Sequence, residues 1–312
     1  MKLVSYKFKQ DPGHFRVGWI VNDSVYDIQE AYRQLLIYKQ EKDLVNQIDT
    51  ILPADPDDFF SIGKRAIDRA TEAYHYIMVS DRPFHFLHQE ELCFSTPISS
   101  PSKVICVGKN YGDHVAEMKG EVPEFPVLFA KFNNALIGPE DMIEKPAATN
   151  KLDYEVELAV VIGKEATRVS KENALDYVAG YTIGNDISAR DLQKRTPQWL
   201  QGKTLDRSTP IGPWVVTPEE VADPSDLTVR SYVNGEERQS SNTRHFIFDV
   251  PYLIEFISNL MTLKPGDIIL TGTPDGVGFA MDPPQFLNDG DVVTMEIEGI
   301  GQMENMVKKM KE

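Results

Sequence analysis

The stretch Asp-Tyr-Glu-Val-Glu-Leu-Ala-Val-Val-Ile-Gly, residues 153–163, predicts a β-strand that carries acidic side chains into a protein core. Val, Ile and Leu crowd this short run and Gly163 ends it, which is typical of a strand. Since side chains alternate faces along a strand, Glu155 and Glu157 point to the same side. That side begins acidic and becomes apolar, so we expect Glu157 to lie where the strand enters the core.

A second strand-like run, Gly-Tyr-Thr-Ile-Gly-Asn-Asp-Ile-Ser-Ala-Arg-Asp-Leu-Gln at residues 180–193, adds a third carboxylate, Asp186. Glu155 and Glu157 lie about 6.5–7 Å apart at the backbone of a strand. Their carboxylates can therefore converge on one cation, but they repel each other without one. Carboxylates with no His or Cys among them suit Mg²⁺, Mn²⁺ or Ca²⁺ rather than zinc. The residues alone leave open the alternative that the glutamates form the solvent-facing side of an antiparallel strand.

Together with Thr-Gly-Thr-Pro-Asp-Gly-Val-Gly at residues 271–278, these motifs resemble the fumarylacetoacetate hydrolase family, over roughly residues 100–307. The resemblance implies that Glu155, Glu157 and Asp186 hold a divalent metal, Mg²⁺ or Mn²⁺, with Ca²⁺ also possible. It further implies a homodimer and an anionic small-molecule substrate. Members of the family act on 2-oxo acids and 1,3-dicarbonyl acids through an enolate that the metal stabilises.

A candidate acid–base pair lies in Gly-Asp-His-Val-Ala-Glu at residues 112–117. His114 and Glu117 are three residues apart, so on a helical turn they share one face, and a neighbouring carboxylate raises the basicity of an imidazole. The alternative for such a spacing is the polar face of a short surface helix. In the family this stretch resembles the catalytic segment, which moves relative to the metal, and Gly108 and Gly112 suit a mobile loop.

Two cations are candidates to attract the substrate, because the chain as a whole is acidic. Arg190 and Gln193 follow Asp186 by four and seven residues, a spacing that would place all three on one helical face. Lys203 lies in a polar stretch, residues 193–206, that is predicted to be a long loop. It matches a family lysine near the metal, so we assign it a catalytic role, with Arg190 and Gln193 as substrate-binding residues.

Two further residues are assigned to substrate binding. Lys131 ends an apolar strand, where it either reaches a substrate carboxylate or lies in solvent. Relatives often carry Pro-Ser after this lysine, whereas this chain has Phe132-Asn133-Asn134, so we expect a different pocket wall there. Thr273 lies in a Gly-rich run that lacks the P-loop and Rossmann patterns. By resemblance it borders the substrate site.

The chain divides at a Pro- and Ser-rich segment, residues 93–103, into a small N-terminal domain, residues 1–98, and a catalytic domain, residues 99–312. The sequence of the N-terminal domain predicts an antiparallel meander followed by helices, one of them capped by Asp55. The second is strand-rich, with a helix opened by Asp249 that buries Leu260 and Met261. The fold class is therefore α+β, with a mixed β-sheet roll or barrel after a small α+β unit.

Composition limits the partners and the compartment. The 312 residues carry a net charge of −16, which argues against nucleic acid and anionic membranes as partners. The two cysteines form no disulfide framework, and Cys106 is expected to be a small buried strand residue. Lysines interrupt any apolar run near the N-terminus, and no window is long enough to span a membrane. We expect a cytoplasmic protein.

The first hypothesis for function is metal-dependent hydrolysis of a C–C bond in an acylpyruvate, or decarboxylation of oxaloacetate. One alternative is a tautomerase or isomerase, or a sugar-acid lyase or hydratase, with the same metal and enolate chemistry. The other is a metal- or ligand-binding protein without catalysis. The presence of His114, Glu117 and Lys203 beside three carboxylates argues against that last alternative.

Overall fold

A computed structural model describes residues 1–11, 13–78, 84–221 and 223–311 as a strand-rich α+β protein, which confirms the predicted fold class. Its strands are β1 (Lys2–Phe8), β2 (Arg16–Val21), β3 (Ser24–Asp27), β4 (Leu87–His88), β5 (Leu92–Ser95), β6 (Val104–Gly108), β7 (Val127–Lys131), β8 (Leu136–Ile137), β9 (Ile143–Lys145), β10 (Leu152–Asp153), β11 (Val156–Ile162), β12 (Val178–Asn185), β13 (Ser188–Ala189), β14 (Thr209–Val216), β15 (Thr228–Val233), β16 (Glu236–Asn242), β17 (Ile268–Leu270), β18 (Val292–Ile297) and β19 (Gly301–Lys309).

The helices are short and lie mostly in the first third of the chain. They are α1 (Ile28–Tyr38), α2 (Lys42–Asn46), α3 (Ile48–Ile51), α4 (Pro56–Ile62), α5 (Lys64–Met78), α6 (Gly112–Glu117), α7 (Arg190–Gln193), α8 (Leu200–Lys203) and α9 (Val250–Leu260). The predicted caps are confirmed, since Asp55 and Asp249 each accept a hydrogen bond from a backbone N–H of the first helical turn. Gly63 separates α4 from α5, because its φ is 67° and a Cβ there would lie 2.1 Å from a backbone oxygen.

Two sheets organise the molecule. The larger follows the order β4-β3-β2-β1-β14-β12-β11-β17-β6-β7, with β5 on β1 and β8 on β14, and the second follows β16-β15-β18-β19-β9. Neither sheet closes on itself within the described residues, so the barrel form of the prediction is not observed. Because β1 pairs with β14, the N-terminal strands continue the sheet of the C-terminal part. The division at residue 98 therefore stays a prediction.

Strand β11 lies between two apolar cores. Val156, Leu158 and Val160 pack into one core, whereas Ala159 and Val161 pack into the other. The alternation predicted from the sequence is therefore confirmed, and both faces of the strand are covered. Cys106 is buried in the neighbouring part of the same sheet, as expected. Within the described ranges, none of the helices combines the length and the apolar character needed to span a bilayer.

Candidate active site

The register of two antiparallel strands brings three carboxylates together. Glu155 directly precedes β11, Glu157 lies on it, and Asp186 directly follows β12. Val156 pairs with Asn185, and the backbone N–H of Asp186 donates to the carbonyl of Glu155 at 2.9 Å. One oxygen from each carboxylate lies within 4.8 Å of the other two, and all three residues are buried. The solvent-facing alternative for the glutamates is therefore wrong.

Three buried cations contact two of these carboxylates. Lys203 Nζ lies 2.6 Å from Glu155 Oε2 and 2.7 Å from Asp186 Oδ2. Lys131 Nζ lies 2.8 Å from Asp186 Oδ1, and Arg190 Nη2 lies 2.7 Å from Glu155 Oε1. These last two contacts are close ion pairs that lack hydrogen-bond alignment. Every oxygen of Glu155 and Asp186 thus lies beside a positive charge.

Glu157 differs from its neighbours because no cation pairs with it among the described residues. Its Oε2 accepts a hydrogen bond from the backbone N–H of Gly272 at 2.7 Å. Burial, followed by the charges of Asp186 and Glu155, raises the pKa of Glu157 well above its ordinary value. Burial alone would also raise the pKa of Glu155, but Lys203 and Arg190 lower it instead. Glu157 is therefore the carboxyl of the centre that holds its proton most strongly, because no cation among the described residues balances its charge once it is ionised.

The residues present fit a divalent metal ion. Carboxylate oxygens are the ligands that Mg²⁺, Mn²⁺ and Ca²⁺ prefer, and each oxygen has more than one lone pair to offer. The buried Oδ1 of Asp186 has no aligned hydrogen bond, and Glu157 has no cation partner in the part of the chain that the structure describes. A dication among Glu155, Glu157 and Asp186 would balance the charge that Glu157 carries once it is ionised, a charge that is otherwise costly to bury.

Metal binding is expected to release a proton over the pH range in which Glu157 is protonated in the metal-free protein, because Glu157 must be ionised to act as an anionic ligand. Its raised pKa means that the metal-free protein keeps this proton where an exposed glutamate has lost it. Metal affinity should therefore rise with pH through the titration of Glu157. Calorimetric titration with Mn²⁺ in buffers of different ionisation enthalpy measures the released proton. Binding that is independent of buffer and pH would contradict the expectation.

The candidate acid–base pair lies beside the three carboxylates, and its histidine lines the same cleft as they do. His114 and Glu117 are on α6, and His114 Nδ1 lies 2.8 Å from Glu117 Oε1, which confirms the shared helical face. Glu117 Oε2 also accepts the backbone N–H of Gly276 at 3.0 Å, so α6 is attached to the Gly-rich run. Because Glu117 engages Nδ1, the other ring nitrogen of His114, Nε2, is available to a substrate. The proposed movement of this segment stays a prediction.

Gly108 was expected to make a loop mobile, and the structure shows a steric reason for a glycine at this position. It ends β6, and a Cβ at this position would lie 2.6 Å from the ring of Trp199. A close approach between backbone and indole therefore requires glycine here. Gly112, in contrast, would have nothing within 4 Å of an added Cβ.

The segment after Asp186 departs from its prediction. Asp186 follows a strand rather than lying on a helix, and β13 intervenes before α7 begins at Arg190. The predicted common helical face for Asp186, Arg190 and Gln193 is therefore wrong. Arg190 Nη1 nevertheless donates to Gln193 Oε1 at 3.1 Å, and both residues line the cleft. The predicted long loop contains the helical turn α8, whose last residue is Lys203.

Lys131 neither lies in solvent nor reaches into the cleft. Its ammonium group is fully buried, where it pairs with Asp186 and donates to the carbonyls of Ile187 and Lys203. The physical reason is that a buried carboxylate needs a cation nearby. Phe132-Asn133-Asn134 is also absent from the cleft lining, and Asn134 instead donates to the carbonyl of Thr204 at 3.2 Å. These three residues therefore form no part of the cleft wall.

Sequence reasoning missed two buried residues that hold the Gly-rich run in place. Asp153 pairs with Arg190 Nε at 2.8 Å and accepts the backbone N–H groups of Gly278 and Phe279. Gln239 donates to Thr273 Oγ1 at 2.8 Å and accepts the N–H of Val156, at the start of the metal strand, at 3.1 Å. The acidic start of the strand was a signal for Asp153. Gln239 lies in a polar run that gives no such signal.

These parts enclose one cleft of about 230 Å³, a volume suited to a small molecule. Its lining includes eight of the ten predicted site residues: His114, Glu155, Glu157, Asp186, Arg190, Gln193, Lys203 and Thr273. Glu117 lies behind His114, and Lys131 lies against Asp186. The roles of these residues toward a substrate stay predictions.

The residues of this site lie in a region of the chain that matches a known protein family. The family model for the fumarylacetoacetate (FAA) hydrolase C-terminal region matches residues 103–308. The chain belongs to the fumarylacetoacetate hydrolase family. This confirms the resemblance inferred from the motifs around Glu155, Asp186 and Thr273.

Three members of the family illustrate its range of activities. Oxaloacetate tautomerase YisK of Bacillus subtilis (strain 168) is 42% identical over 297 residues, covering 93% of this chain and 95% of that protein. The structure of 5-carboxymethyl-2-hydroxymuconate delta-isomerase from Mycobacterium smegmatis is 34% identical with a TM-score of 0.73. That of maleylpyruvate hydrolase from Sphingobium sp. SYK-6, in complex with manganese(II) and pyruvate, is 28% identical with a TM-score of 0.77. Both comparisons cover 100% of each chain.

Proposed function

We propose that this family member catalyses the keto–enol tautomerisation of a small 2-oxo acid, with oxaloacetate as the first substrate to test. The observation that carries the proposal is that His114, paired with Glu117, lines the same small cleft as three metal-suited carboxylates. The Bacillus relative, similar over almost the whole chain, is named an oxaloacetate tautomerase. Hydrolysis and decarboxylation, the first hypothesis from the sequence, come second to tautomerisation because this relative supports the latter.

The keto and enol forms of a 2-oxo acid differ in the position of one proton. In the keto form the proton is bound to C3, and in the enol form a proton is bound to the C2 oxygen. When bound, a divalent ion at the three carboxylates would supply Lewis-acid polarisation of the oxygens of the 2-oxo acid. His114 Nε2 would take the proton from C3 and deliver it, directly or through water, to the C2 oxygen, and the reverse transfer would regenerate the keto form. Glu117, 2.8 Å from Nδ1, would hold the ring in orientation and stabilise its charged form.

Hydrolysis of an acylpyruvate is the second candidate, since one structural relative is a maleylpyruvate hydrolase. In that reaction His114 would take a proton from water, and the resulting oxygen nucleophile would attack the acyl carbon. The C–C bond between the acyl carbon and C3 of the pyruvate part would then break. The products would be a carboxylic acid and the enolate of pyruvate, which would take the proton back from His114. Decarboxylation of oxaloacetate is a further outcome of the same carbanion chemistry. It needs no water and therefore depends less on His114.

One set of assays separates these reactions. Oxaloacetate, acetylpyruvate and fumarylpyruvate are each incubated with the Mn²⁺- or Mg²⁺-loaded protein. The enol absorbance of oxaloacetate is recorded, and products are identified by NMR. We expect the enol absorbance to fall faster with the protein than without it, while the total amount of oxaloacetate stays constant. Pyruvate from oxaloacetate would indicate decarboxylation, and pyruvate plus a second acid from an acylpyruvate would indicate hydrolysis. Equal rates with and without protein on all three acids would refute the proposal.

We also propose that the protein is a homodimer joined at the β7 edge. Strand β7 ends the larger sheet, and an apolar groove of about 710 Å³ lies along it. Leu260 and Met261, predicted to be buried, are 61% and 40% exposed, and Phe132 is 54% exposed. A second copy would cover this surface.

Sedimentation at micromolar concentration tests the dimer. We expect twice the monomer mass of 35.2 kDa. Phe132→Glu should shift the protein toward monomer, whereas Phe8→Glu, at an exposed aromatic residue far along the sheet, should not. A wild-type monomer would contradict the proposal.

A further inference from the structure

The cations of the cleft fall into two groups. The inner group, Arg190 and Lys203, is paired with buried carboxylates. The outer group is Lys109, which follows β6, and Lys194, which follows α7, and both line the cleft. In the described part of the chain neither outer lysine has a carboxylate within ion-pair distance. All the acids that line the cleft belong to the inner centre.

Lys194 is held in place by an aromatic ring instead of an acid. Its ammonium lies 3.5 Å from the ring centre of Phe279, a cation–π contact. The N–H of Phe279 donates to Asp153, which also pairs with Arg190. The same carboxylate therefore positions the ring that contacts Lys194 and the guanidinium of Arg190. Burial, followed by repulsion from Arg190 and Lys151, lowers the pKa of Lys194. An anion beside Lys194 would relieve that repulsion.

Lys109 also lines the cleft, on the segment between β6 and α6. Its φ is 59°, in the left-handed region, and its half-buried side chain reaches Gly120, three residues after α6 ends. The ammonium lies 3.8 Å from the point where a Cβ on Gly120 would stand. The outer cleft therefore carries two unpaired positive charges in a protein whose net charge is −16. Two such charges facing one small cavity favour an anionic ligand.

We propose that Lys109 and Lys194 form a second anion-binding position, which binds the distal carboxylate of a dicarboxylic substrate. The inference rests on the proposed function, in which the 2-oxo acid end of the substrate lies at the inner centre. Oxaloacetate is such a dicarboxylate, and the inference makes the two lysines the residues that select a second carboxylate on the substrate. Neither lysine takes part in proton transfer.

Binding of two stable 2-oxo acids tests the position without relying on turnover. Pyruvate offers one carboxylate and 2-oxoglutarate offers two, and calorimetry with the Mn²⁺-loaded protein gives the affinity of each. We expect wild type to prefer 2-oxoglutarate. Lys109→Met and Lys194→Met should each reduce that preference by about 5-fold, the effect of an exposed ion pair, with pyruvate affinity unchanged. Lys194→Arg should keep it.

Lys151→Met is the matched control. Lys151 contributes to the field at Lys194 but does not line the cleft, so its removal should leave the preference unchanged. Absence of a preference in wild type, a preference that either lysine variant leaves unchanged, or an equal loss in Lys151→Met would each overturn the proposal. Failure of wild type to bind either acid would instead refute the proposed function, so the two failures are distinguishable.

Discussion

Replacing Asp186 with Asn is expected to weaken Mn²⁺ binding at least about 100-fold and to remove turnover with it. Loss of a partner that only orients a metal ligand typically reduces affinity by about 10- to 100-fold, so loss of a ligand charge should reduce it at least as much. Asn keeps the shape of Asp but not its charge. Lys131 and Lys203 would then lose the carboxylate that they share.

The same substitution is expected to lower the stability of the metal-free protein. Breaking a buried ion pair by removing one partner lowers the free energy of unfolding by about 3–5 kcal/mol, because the remaining charge stays buried without a partner. Chemical denaturation measures this change, and circular dichroism shows whether the variant folds.

Glu157→Gln is the matched control, because it removes a ligand charge without leaving a cation unpaired. Gln can still accept the N–H of Gly272. We therefore expect Glu157→Gln to lose metal affinity as Asp186→Asn does, with the free energy of unfolding of the metal-free protein unchanged or increased. Undiminished metal affinity in either variant would show that the ion lies elsewhere.

The second large effect is expected at His114. His114→Ala should reduce turnover by about 10²–10⁴-fold, the usual contribution of a general acid–base group. Metal affinity should remain nearly unchanged, since the imidazole pairs with Glu117 rather than with the three carboxylates. Initial rates and Mn²⁺ titration of the same preparation measure both quantities.

Two comparisons make this result specific. A loss of metal affinity in His114→Ala would make the residue a ligand rather than a base. Glu117→Gln, which keeps a hydrogen-bonding side chain next to the ring and to the N–H of Gly276, should reduce turnover by less. Unchanged turnover in His114→Ala on every substrate that the wild type converts would contradict the assigned role. A deficit on an acylpyruvate alone would mark His114 as the base for water.

Local patterns in the sequence predicted much of the fold and of the site. The alternation along β11 identified the buried acidic face, and the three-residue spacing identified the contact between His114 and Glu117. Such features depend on strand and helix periodicity, which neighbouring residues determine.

Partners far apart in the chain were not predictable in this way. Lys131 contacts Asp186 across 55 positions, and Gln239 contacts Thr273 across 34, so only the sheet order brings these groups together. The same limit applies to β1, whose pairing with β14 joins the N-terminal strands to the sheet. The exposure of Leu260 and Met261 was missed because an apolar helix end has the same sequence pattern whether its own chain or another covers it.

The position of the metal is the central claim, and crystals soaked in Mn²⁺ test it most directly. An anomalous difference map recorded near the manganese edge should show one strong peak among Glu155, Glu157 and Asp186. The peak should lie at coordination distance from an oxygen of each residue and should disappear in Asp186→Asn crystals. A map that places manganese elsewhere, or shows no peak at these carboxylates under saturating Mn²⁺, would contradict the account.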